Sequence, residues 1–122
     1  MGDESTWAAE ASECAAEQEA FWPYHDRLYD HQAGENRGAF SQDNLKRFAV
    51  ELGLDGQAFN ACFDSGKYAA AVRADTAAGE SIGVKGTPAF LVNGRPLVGA
   101  LPFEAFRQAI ETELGVGEKW GR

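Results

Sequence analysis

The sequence contains little cysteine. Cys14 and Cys62 are the two cysteines among 122 residues, and they lie 48 positions apart. A single pair excludes a disulfide-dense scaffold, and the wide spacing excludes both a CxxC redox pair and a clustered zinc site. A domain of this length buries roughly 65% of the surface that its unfolded chain exposes, which is enough for a core without metals or several disulfides. The sequence therefore predicts one globular domain, and we expect no cofactor and no metal.

Basic side chains and long apolar runs are also scarce. Eleven Lys and Arg residues face 19 Asp and Glu residues, which gives a net charge of −8. This charge repels phosphates, so we expect no nucleic-acid partner. No stretch approaches the roughly 18 apolar residues of a membrane span. The residues from Met1 to Trp7 are acidic where a signal peptide has a basic region, so no signal peptide is predicted.

Apolar residues recur at three- and four-residue steps before Gly83 and predict about five helices there. Pro23 cannot donate a helical hydrogen bond, so we expect the first helical stretch to break or kink near Phe21 to Pro23. A polar surface loop is expected from His31 to Phe40. The predicted helical regions are Ser5 to Gln32 as two helices, Gln42 to Leu52 with N-cap Ser41, a short helix between N-cap Asp55 and Gly66, and Lys67 to Glu80.

The pattern changes after Gly79, and one hairpin is predicted in the residues that follow. Ala89 to Val92 is apolar on both faces, which is typical of a buried strand inside a sheet with more neighbours than this chain provides. Asn93-Gly94 is a strong hairpin signal, and Pro96 places the returning strand at a sheet edge. A last helix is expected with Pro102 at its first position and Gly115 at its end, followed by a loose tail to Arg122. The chain is thus predicted to be mostly α: about five helices, a β-hairpin and a C-terminal helix.

Few residues point to chemistry on their own. Cys14 and Cys62 lie on helical faces with apolar neighbours, which fits either a disulfide or two buried free thiols. Neither has a basic neighbour or a helix N-terminus that lowers the pKa of a thiol, so neither is predicted to be a nucleophile. His25 and His31 lack a third metal ligand, and His25 is expected to pack beside Trp22. No serine stands in a G-x-S-x-G motif.

The start of the predicted strand is the exception. Pro88 has no N–H to offer there, and a cis Thr87-Pro88 bond would turn the loop back and expose neighbouring backbone groups. Exposed backbone at a strand end can pair with an extended peptide. An ordinary trans proline that opens the strand fits these residues equally well.

Four stretches, taken in order, resemble the DsbA-like family of thiol-disulfide oxidoreductases. The resemblance covers about Ala8 to Leu114. Its last stretch is the most specific, because it resembles the Thr or Val before a cis proline that thioredoxin-like proteins share. The stretches are Glu13-Cys14-Ala15-Ala16-Glu17-Gln18, the run from Phe21 to Tyr29, Leu52-Gly53-Leu54-Asp55 with Phe59 and Cys62, and the run from Gly83 to Gly94.

The resemblance implies an α/β, thioredoxin-like fold with a helical insertion at about residues 5–82. The cis-proline loop, hairpin and last helix then occupy residues 83–115. Thr87 and Pro88 match the loop that binds the substrate backbone, and Cys14 and Cys62 match a structural disulfide. The implied partners are protein thiols and disulfides, and the implied location is periplasmic or otherwise extracytoplasmic.

One departure from the family is decisive. A strand-CxxC-helix-strand segment, called the CxxC segment below, supplies both exchanging thiols in the family, and residues 1–122 do not contain it. We therefore expect an N-terminally truncated DsbA-like domain that has no catalytic residue of its own and is inactive alone. Two alternatives stay open. One is a relative of kappa-class glutathione transferases and isomerases, although the cysteine pair favours the oxidoreductase branch. The other is a non-enzymatic helical domain that forms a homodimer through its unsatisfied sheet edge.

Overall fold

A computed structural model of the protein describes residues 2–115, and this part of the chain contains six helices and one two-stranded hairpin. The order confirms the prediction of five helices, a hairpin and a last helix. The loose tail expected after Gly115 lies outside the described residues. The chain divides into a first unit, Met1–Thr76, and a second unit, Ala77–Arg122. The elements are α1 (Asp3–Ala16), α2 (Phe21–Asp30), α3 (Gln42–Glu51), α4 (Gly56–Asp64), α5 (Ala69–Ser81), β1 (Ala89–Val92), β2 (Arg95–Val98) and α6 (Phe103–Leu114).

The first unit is built around one helical core. Helix α1 packs on α2, α3 and α4, and α3 packs on α2 and α4. Ala8, Ala11 and Ala15 are buried along α1, and such small side chains let the neighbouring helices approach closely. The largest fully buried side chains come from all four helices: Cys14, Tyr24, Leu45, Phe48 and Phe59.

Tyr24 lies in this apolar core and forms a hydrogen bond to the backbone of α3. Its hydroxyl donates to the carbonyl oxygen of Leu45 at 2.8 Å, and its ring lies 5.6 Å from the Phe59 ring. Burial raises the pKa of Tyr24, because the phenolate is poorly solvated there. The hydroxyl therefore stays protonated and remains a donor that ties α2 to α3.

The break between the first two helices comes earlier than expected. Helix α1 ends in a turn in which Glu19 N donates to Ala16 O and Ala20 N donates to Ala15 O, both at 3.0 Å. This is the Schellman pattern of helix termination. Pro23 is the third residue of α2, where a backbone N–H has no helical partner, so the proline is tolerated. Two helices are confirmed, and α2 begins at Phe21, although the break itself lies in the turn at residues 17–20 rather than at Pro23.

The predicted N-caps are confirmed. The Ser41 hydroxyl accepts from Asn44 N at 3.2 Å, and a carboxylate oxygen of Asp55 accepts from Ala58 N at 3.0 Å. The Gln18 side chain also forms two hydrogen bonds with the Asp55 backbone, at 2.8 and 3.1 Å. These bonds hold the turn after α1 against the start of α4.

The second unit consists of the hairpin, α6 and the residues that precede β1. Asn93 and Gly94 both have positive φ, at 51° and 84°, which is the type I′ turn favoured between two antiparallel strands. Helix α6 packs on β1, where the Phe90 and Phe106 rings meet edge to face at 4.9 Å. Pro102 is the N-cap of α6 rather than its first residue, and Gly115 ends the helix with a φ of 75°.

Strand β1 is not buried as its apolar sequence alone predicts, whereas the predicted lack of sheet neighbours is observed within residues 2–115. Phe90 is 42% exposed and Leu91 is 50% exposed. The cause is that β2 is the one strand paired with β1 among residues 2–115, so one edge of β1 and part of its surface have no cover.

The turn after α1 generates a stability prediction. Glu19 has a φ of 58° at a position that Gly53 and Gly83 occupy in the corresponding turns after α3 and α5. A left-handed conformation costs a residue other than glycine roughly 1–2 kcal/mol. Glu19 is exposed, and its side chain has no hydrogen-bond or ion-pair partner within residues 2–115. We expect Glu19→Gly to raise the free energy of unfolding by about 0.5–1 kcal/mol, measured by chemical denaturation.

The matched control is Gly53→Ala, which introduces a side chain at the same position of the turn after α3. No atom lies within 4 Å of the Cβ that this change adds, so backbone conformation alone governs the result. We expect a loss of about 1 kcal/mol. Destabilisation by Glu19→Gly would contradict the proposed role of this turn.

Candidate functional site

The candidate site is the loop that leads into β1. The Thr87-Pro88 peptide bond is cis. Pro88 O accepts from Gly99 N at 2.9 Å, which extends the hairpin by one pair beyond Ala89 and Val98. Thr87 is exposed, and no hydrogen bond is recorded for its backbone or its hydroxyl within residues 2–115. The loop therefore leaves polar groups available at the start of the strand.

The open edge of β1 continues this surface. In a hairpin with a two-residue turn, the pair that flanks the turn is hydrogen-bonded, and bonded and non-bonded pairs alternate along the strands. Val92 and Phe90 therefore bond to β2, while the N–H and C=O groups of Ala89 and Leu91 point away from it. Pro96 lies opposite Leu91, at a pair where its missing N–H removes no bond in the hairpin. As far as residues 2–115 show, the backbone of Ala89 and Leu91 is thus free to pair with a further strand.

An apolar groove of about 580 Å³ is lined by both strands of the hairpin and by the loop before β1. Val98 is 72% exposed, and Ile82 is also exposed. Lys85 is the one charged residue in the lining that the structure describes. The groove is suited to apolar side chains from another polypeptide segment. Its apolar lining includes Ile82, Val84, Phe90, Leu91, Pro96 and Val98.

Cys14 and Cys62 form a disulfide between α1 and α4. Both side chains are buried, and their Cα atoms are 5.9 Å apart. The pairing implied by the family resemblance is therefore present, and two free thiols are not. Neither cysteine of the sequence can supply a thiolate while this bond is intact. Both cysteines belong to the first unit, whereas Thr87 and Pro88 belong to the second.

His25 packs beside Trp22, as predicted, and His31 is exposed but also lies against an aromatic ring. The His25 ring lies 5.0 Å from Trp22 and 4.8 Å from Tyr29, and its Nδ1 is 3.1 Å from an Asp26 oxygen. The His31 ring lies 5.0 Å from the Phe48 ring. Within residues 2–115, no group of three or more His, Cys, Asp or Glu side chains could hold a metal ion.

A charged cluster at the end of α1 was not predicted from the sequence. Glu17 forms an ion pair with Lys67 and accepts from the Tyr68 hydroxyl at 2.8 Å. These contacts lower the pKa of Glu17, chiefly through the Lys67 hydrogen bond, and raise the pKa values of Lys67 and Tyr68. The partners are 50 and 51 positions apart, so no local pattern could have indicated them. The cluster holds the residues before α5 against the end of α1.

A hairpin followed by a helix, with a Thr-Pro loop before the first strand, is the arrangement expected of the last part of a thioredoxin-like domain. Residues 1–111 match the DSBA-like thioredoxin domain family. The chain belongs to this family, which confirms the resemblance to DsbA-like thiol-disulfide oxidoreductases and the fold class that it implied.

Three curated relatives are named as Na⁺/H⁺ antiporters. The chain is 42% identical over 103 residues to NhaA 3 of Salinispora tropica, 40% over 93 residues to NhaA of Herminiimonas arsenicoxydans, and 39% over 103 residues to NhaA 1 of Salinispora arenicola. These alignments cover 84%, 76% and 84% of this chain. They cover 15%, 14% and 15% of the relatives, so the chain spans about one-seventh of their length. No solved structure matches the chain.

No helix within residues 2–115 is long and apolar enough to cross a membrane. The longest of them, α1, has 14 residues and carries several carboxylates.

The disulfide generates a prediction for the first unit. Loss of a cross-link that closes a loop of this length costs about 4 kcal/mol of stability when estimated from chain entropy. We expect a Cys14→Ala/Cys62→Ala variant to unfold at a clearly lower denaturant concentration. Reduction of the wild-type protein should lower the midpoint similarly, and the reductant should leave the double variant unchanged.

The bond itself is tested by alkylation. Unreduced protein alkylated in denaturant should take up no label, and reduced protein should take up two, because the sequence has two cysteines. Two labels on unreduced protein would contradict the disulfide.

Proposed function

We propose that this chain is the substrate-positioning part of a protein thiol-disulfide oxidoreductase. Membership of the DSBA-like thioredoxin domain family over residues 1–111 is the observation that carries the proposal. In such exchange, a thiolate attacks one sulfur of a disulfide, a mixed disulfide forms, and the other sulfur leaves as a thiolate. Cys14 and Cys62 are bonded to each other, so the exchanging dithiol is not this pair.

We assign substrate binding to Thr87 and Pro88. Thr87 is exposed, and the backbone groups of Ala89 and Leu91 beside it point away from β2. An extended polypeptide can add to such an edge through main-chain hydrogen bonds, which recognise any sequence that presents a cysteine in extended form. This mode suits an enzyme that acts on many protein thiols and disulfides.

We infer that a CxxC segment supplies both the dithiol and the sheet neighbours of β1. The support is the exposure of Phe90 and Leu91 and the open edge of the strand. On this proposal, residues of about 5–82 are the helical insertion of one DsbA-like domain and residues 83–115 are its proline loop, hairpin and last helix. The Cys14–Cys62 disulfide favours this oxidoreductase branch over a kappa-class glutathione transferase or an isomerase.

We place the reaction outside the cytoplasm. Disulfides persist in oxidising compartments and are rare where thiols are kept reduced, so the Cys14–Cys62 bond fits a periplasmic or other extracytoplasmic location. The net charge of −8 argues against nucleic acid as a partner. Because the chain matches 14–15% of each antiporter, we do not extend ion transport to it.

The proposal predicts that catalysis requires both parts. The chain alone should reduce insulin with dithiothreitol no faster than a Cys14→Ser/Cys62→Ser variant. When the CxxC segment of a family member is fused before the chain, turnover should appear. Thr87→Arg in this fusion should lower kcat/KM by about tenfold or more, because the larger side chain obstructs the peptide backbone.

The matched control is Thr6→Arg, which places the same side chain on the exposed surface of α1. It should leave kcat/KM unchanged. Turnover by the unfused chain above its double-serine variant would overturn the claim that the chain is inactive alone. Equal activity of the Thr87→Arg and Thr6→Arg fusions would overturn the assignment of the binding loop.

The second candidate is homodimer formation through the open edge of β1, without enzymatic activity. An antiparallel pair of identical edges is self-complementary about a two-fold axis. The second unit also carries no net charge, since residues 77–122 contain five acidic and five basic side chains. This unit therefore adds no repulsion of its own between two copies, and exposed apolar edges recruit partners.

We expect the unfused chain to show concentration-dependent dimers in sedimentation equilibrium. Leu91→Lys should abolish them by placing a charge at the pairing edge, whereas Val50→Lys, at an exposed site of the first unit, should not. The fused CxxC segment should also abolish them, because it occupies the same edge. A monomer at about 1 mM would reject the dimer without affecting the oxidoreductase proposal.

A further inference from the structure

A second exposed surface lies on α2 and takes no part in the proposed exchange. The rings of Phe21, Trp22, His25 and Tyr29 form a continuous row, called the aromatic face below. Adjacent ring centroids are 4.8–5.0 Å apart from Phe21 to Trp22, from Trp22 to His25 and from His25 to Tyr29. From Phe21 to Tyr29 the row extends about 12 Å along the helix, the length of about four residues of extended polypeptide.

Two rings of the aromatic face, those of Trp22 and Tyr29, are largely open to solvent. Trp22 is 67% exposed and Tyr29 is 68% exposed. Single exposed aromatic residues are ordinary, but a contiguous row is the kind of surface at which partners bind, and Trp and Tyr are common anchors there. Tyr29 also borders a groove of about 180 Å³ that Leu28 and Phe40 line. The groove can take an apolar side chain next to the ring row.

The charge around the aromatic face is negative. The Asp26 side chain is 73% exposed, with one carboxylate oxygen 3.1 Å from His25 Nδ1, and Asp30 is exposed one turn further on. The positive charge of Arg27 is already paired with Glu51 at 2.8 Å. His31 faces the Phe48 ring and the Arg27 carbonyl oxygen at the far end of the helix. The first unit as a whole holds 14 acidic and six basic side chains and so carries the entire net charge.

We propose that the aromatic face binds an arginine-containing polypeptide segment, with a guanidinium group over the Trp22 ring and Asp26 as its counter-charge. Indole is the strongest of the aromatic side chains in attracting a cation to its face, and a guanidinium group can stack on a ring and donate to a carboxylate at once. A second copy of the first unit brings the same negative charge and is disfavoured. Anionic lipid is repelled for the same reason.

The test uses the whole chain and two short peptides. The probe alternates arginine and glycine, and its control carries citrulline, which has the shape of arginine without the charge, at every arginine position. Binding is followed through the indole N–H signal of Trp22 in an NMR titration, assigned with Trp22→Phe. We expect the citrulline peptide to bind about tenfold more weakly or not at all.

Two pairs of variants separate this site from general attraction to an acidic protein. Asp26→Asn should weaken binding of the arginine peptide several-fold, whereas Asp75→Asn, which removes the same charge from α5, should change it little. Trp22→Ala should weaken binding more than Trp22→Phe, and Val50→Ala, at another exposed apolar position, should leave it unchanged. Circular dichroism checks that each variant is folded.

Three outcomes would overturn the inference. They are equal binding of the citrulline peptide, equal losses in Asp26→Asn and Asp75→Asn with none in Trp22→Ala, and no shift of the Trp22 signal at millimolar peptide. None of these results bears on insulin reduction, so the inference and the proposed exchange activity fail separately.

Discussion

The packing of α1 against α4 is the contact on which the first unit depends, and the Cys14–Cys62 bond holds it covalently. Helix α1 touches each of the other three helices of this core, so fixing its position also fixes theirs. The alanines along α1 allow close approach, while Phe59 of α4 fills the centre beside Tyr24. Gln18 and Glu17 add polar contacts to later parts of the chain at the same end of α1. The C-terminal end of α1 is therefore held by a disulfide, by hydrogen bonds and an ion pair, and by apolar packing.

The second unit has the opposite character. Its turn, register and last helix are well defined by local interactions, yet none of its large apolar side chains is fully buried within residues 77–115. A two-stranded hairpin with one helix on it cannot cover both faces and both edges of its strands. The unit thus presents polar backbone at β1 and an apolar groove beside it, which are the two things an incoming strand requires. The proposed binding of a substrate, of the CxxC segment and of a second copy depends in each case on this open edge and its apolar groove.

The cysteine pair also decides what chemistry is available. A disulfide buried between two helices stabilises the fold and at the same time removes both thiols from exchange. Membership of an oxidoreductase family and the lack of a free thiolate are therefore compatible when the chain positions substrates for a dithiol located elsewhere. The aromatic face on α2 is a separate surface surrounded by negative charge. The binding proposed there does not involve a cysteine.

Much of the fold follows from the sequence, because its signals are local. Ser41 and Asp55 cap helices through residues three positions away, Asn93-Gly94 makes its turn with two residues, and helical periodicity marks the apolar face of each helix. The family resemblance rested on the same local stretches and indicated Thr87 and Pro88. The aromatic face could also have been predicted from the sequence, because Phe21, His25 and Tyr29 are spaced four residues apart and so lie on one side of a helix.

Tertiary structure alone decided the rest. Whether Cys14 and Cys62 form a disulfide depended on how α1 and α4 pack, because the two cysteines are 48 positions apart. The ion pair of Glu17 with Lys67 likewise joins residues 50 positions apart. The helix break at Glu19 escaped prediction because a glutamate occupies a position where glycine is the usual signal. The exposure of β1 could not be read from its apolar sequence, since composition specifies what a strand can bury, whereas only its neighbours determine what is buried.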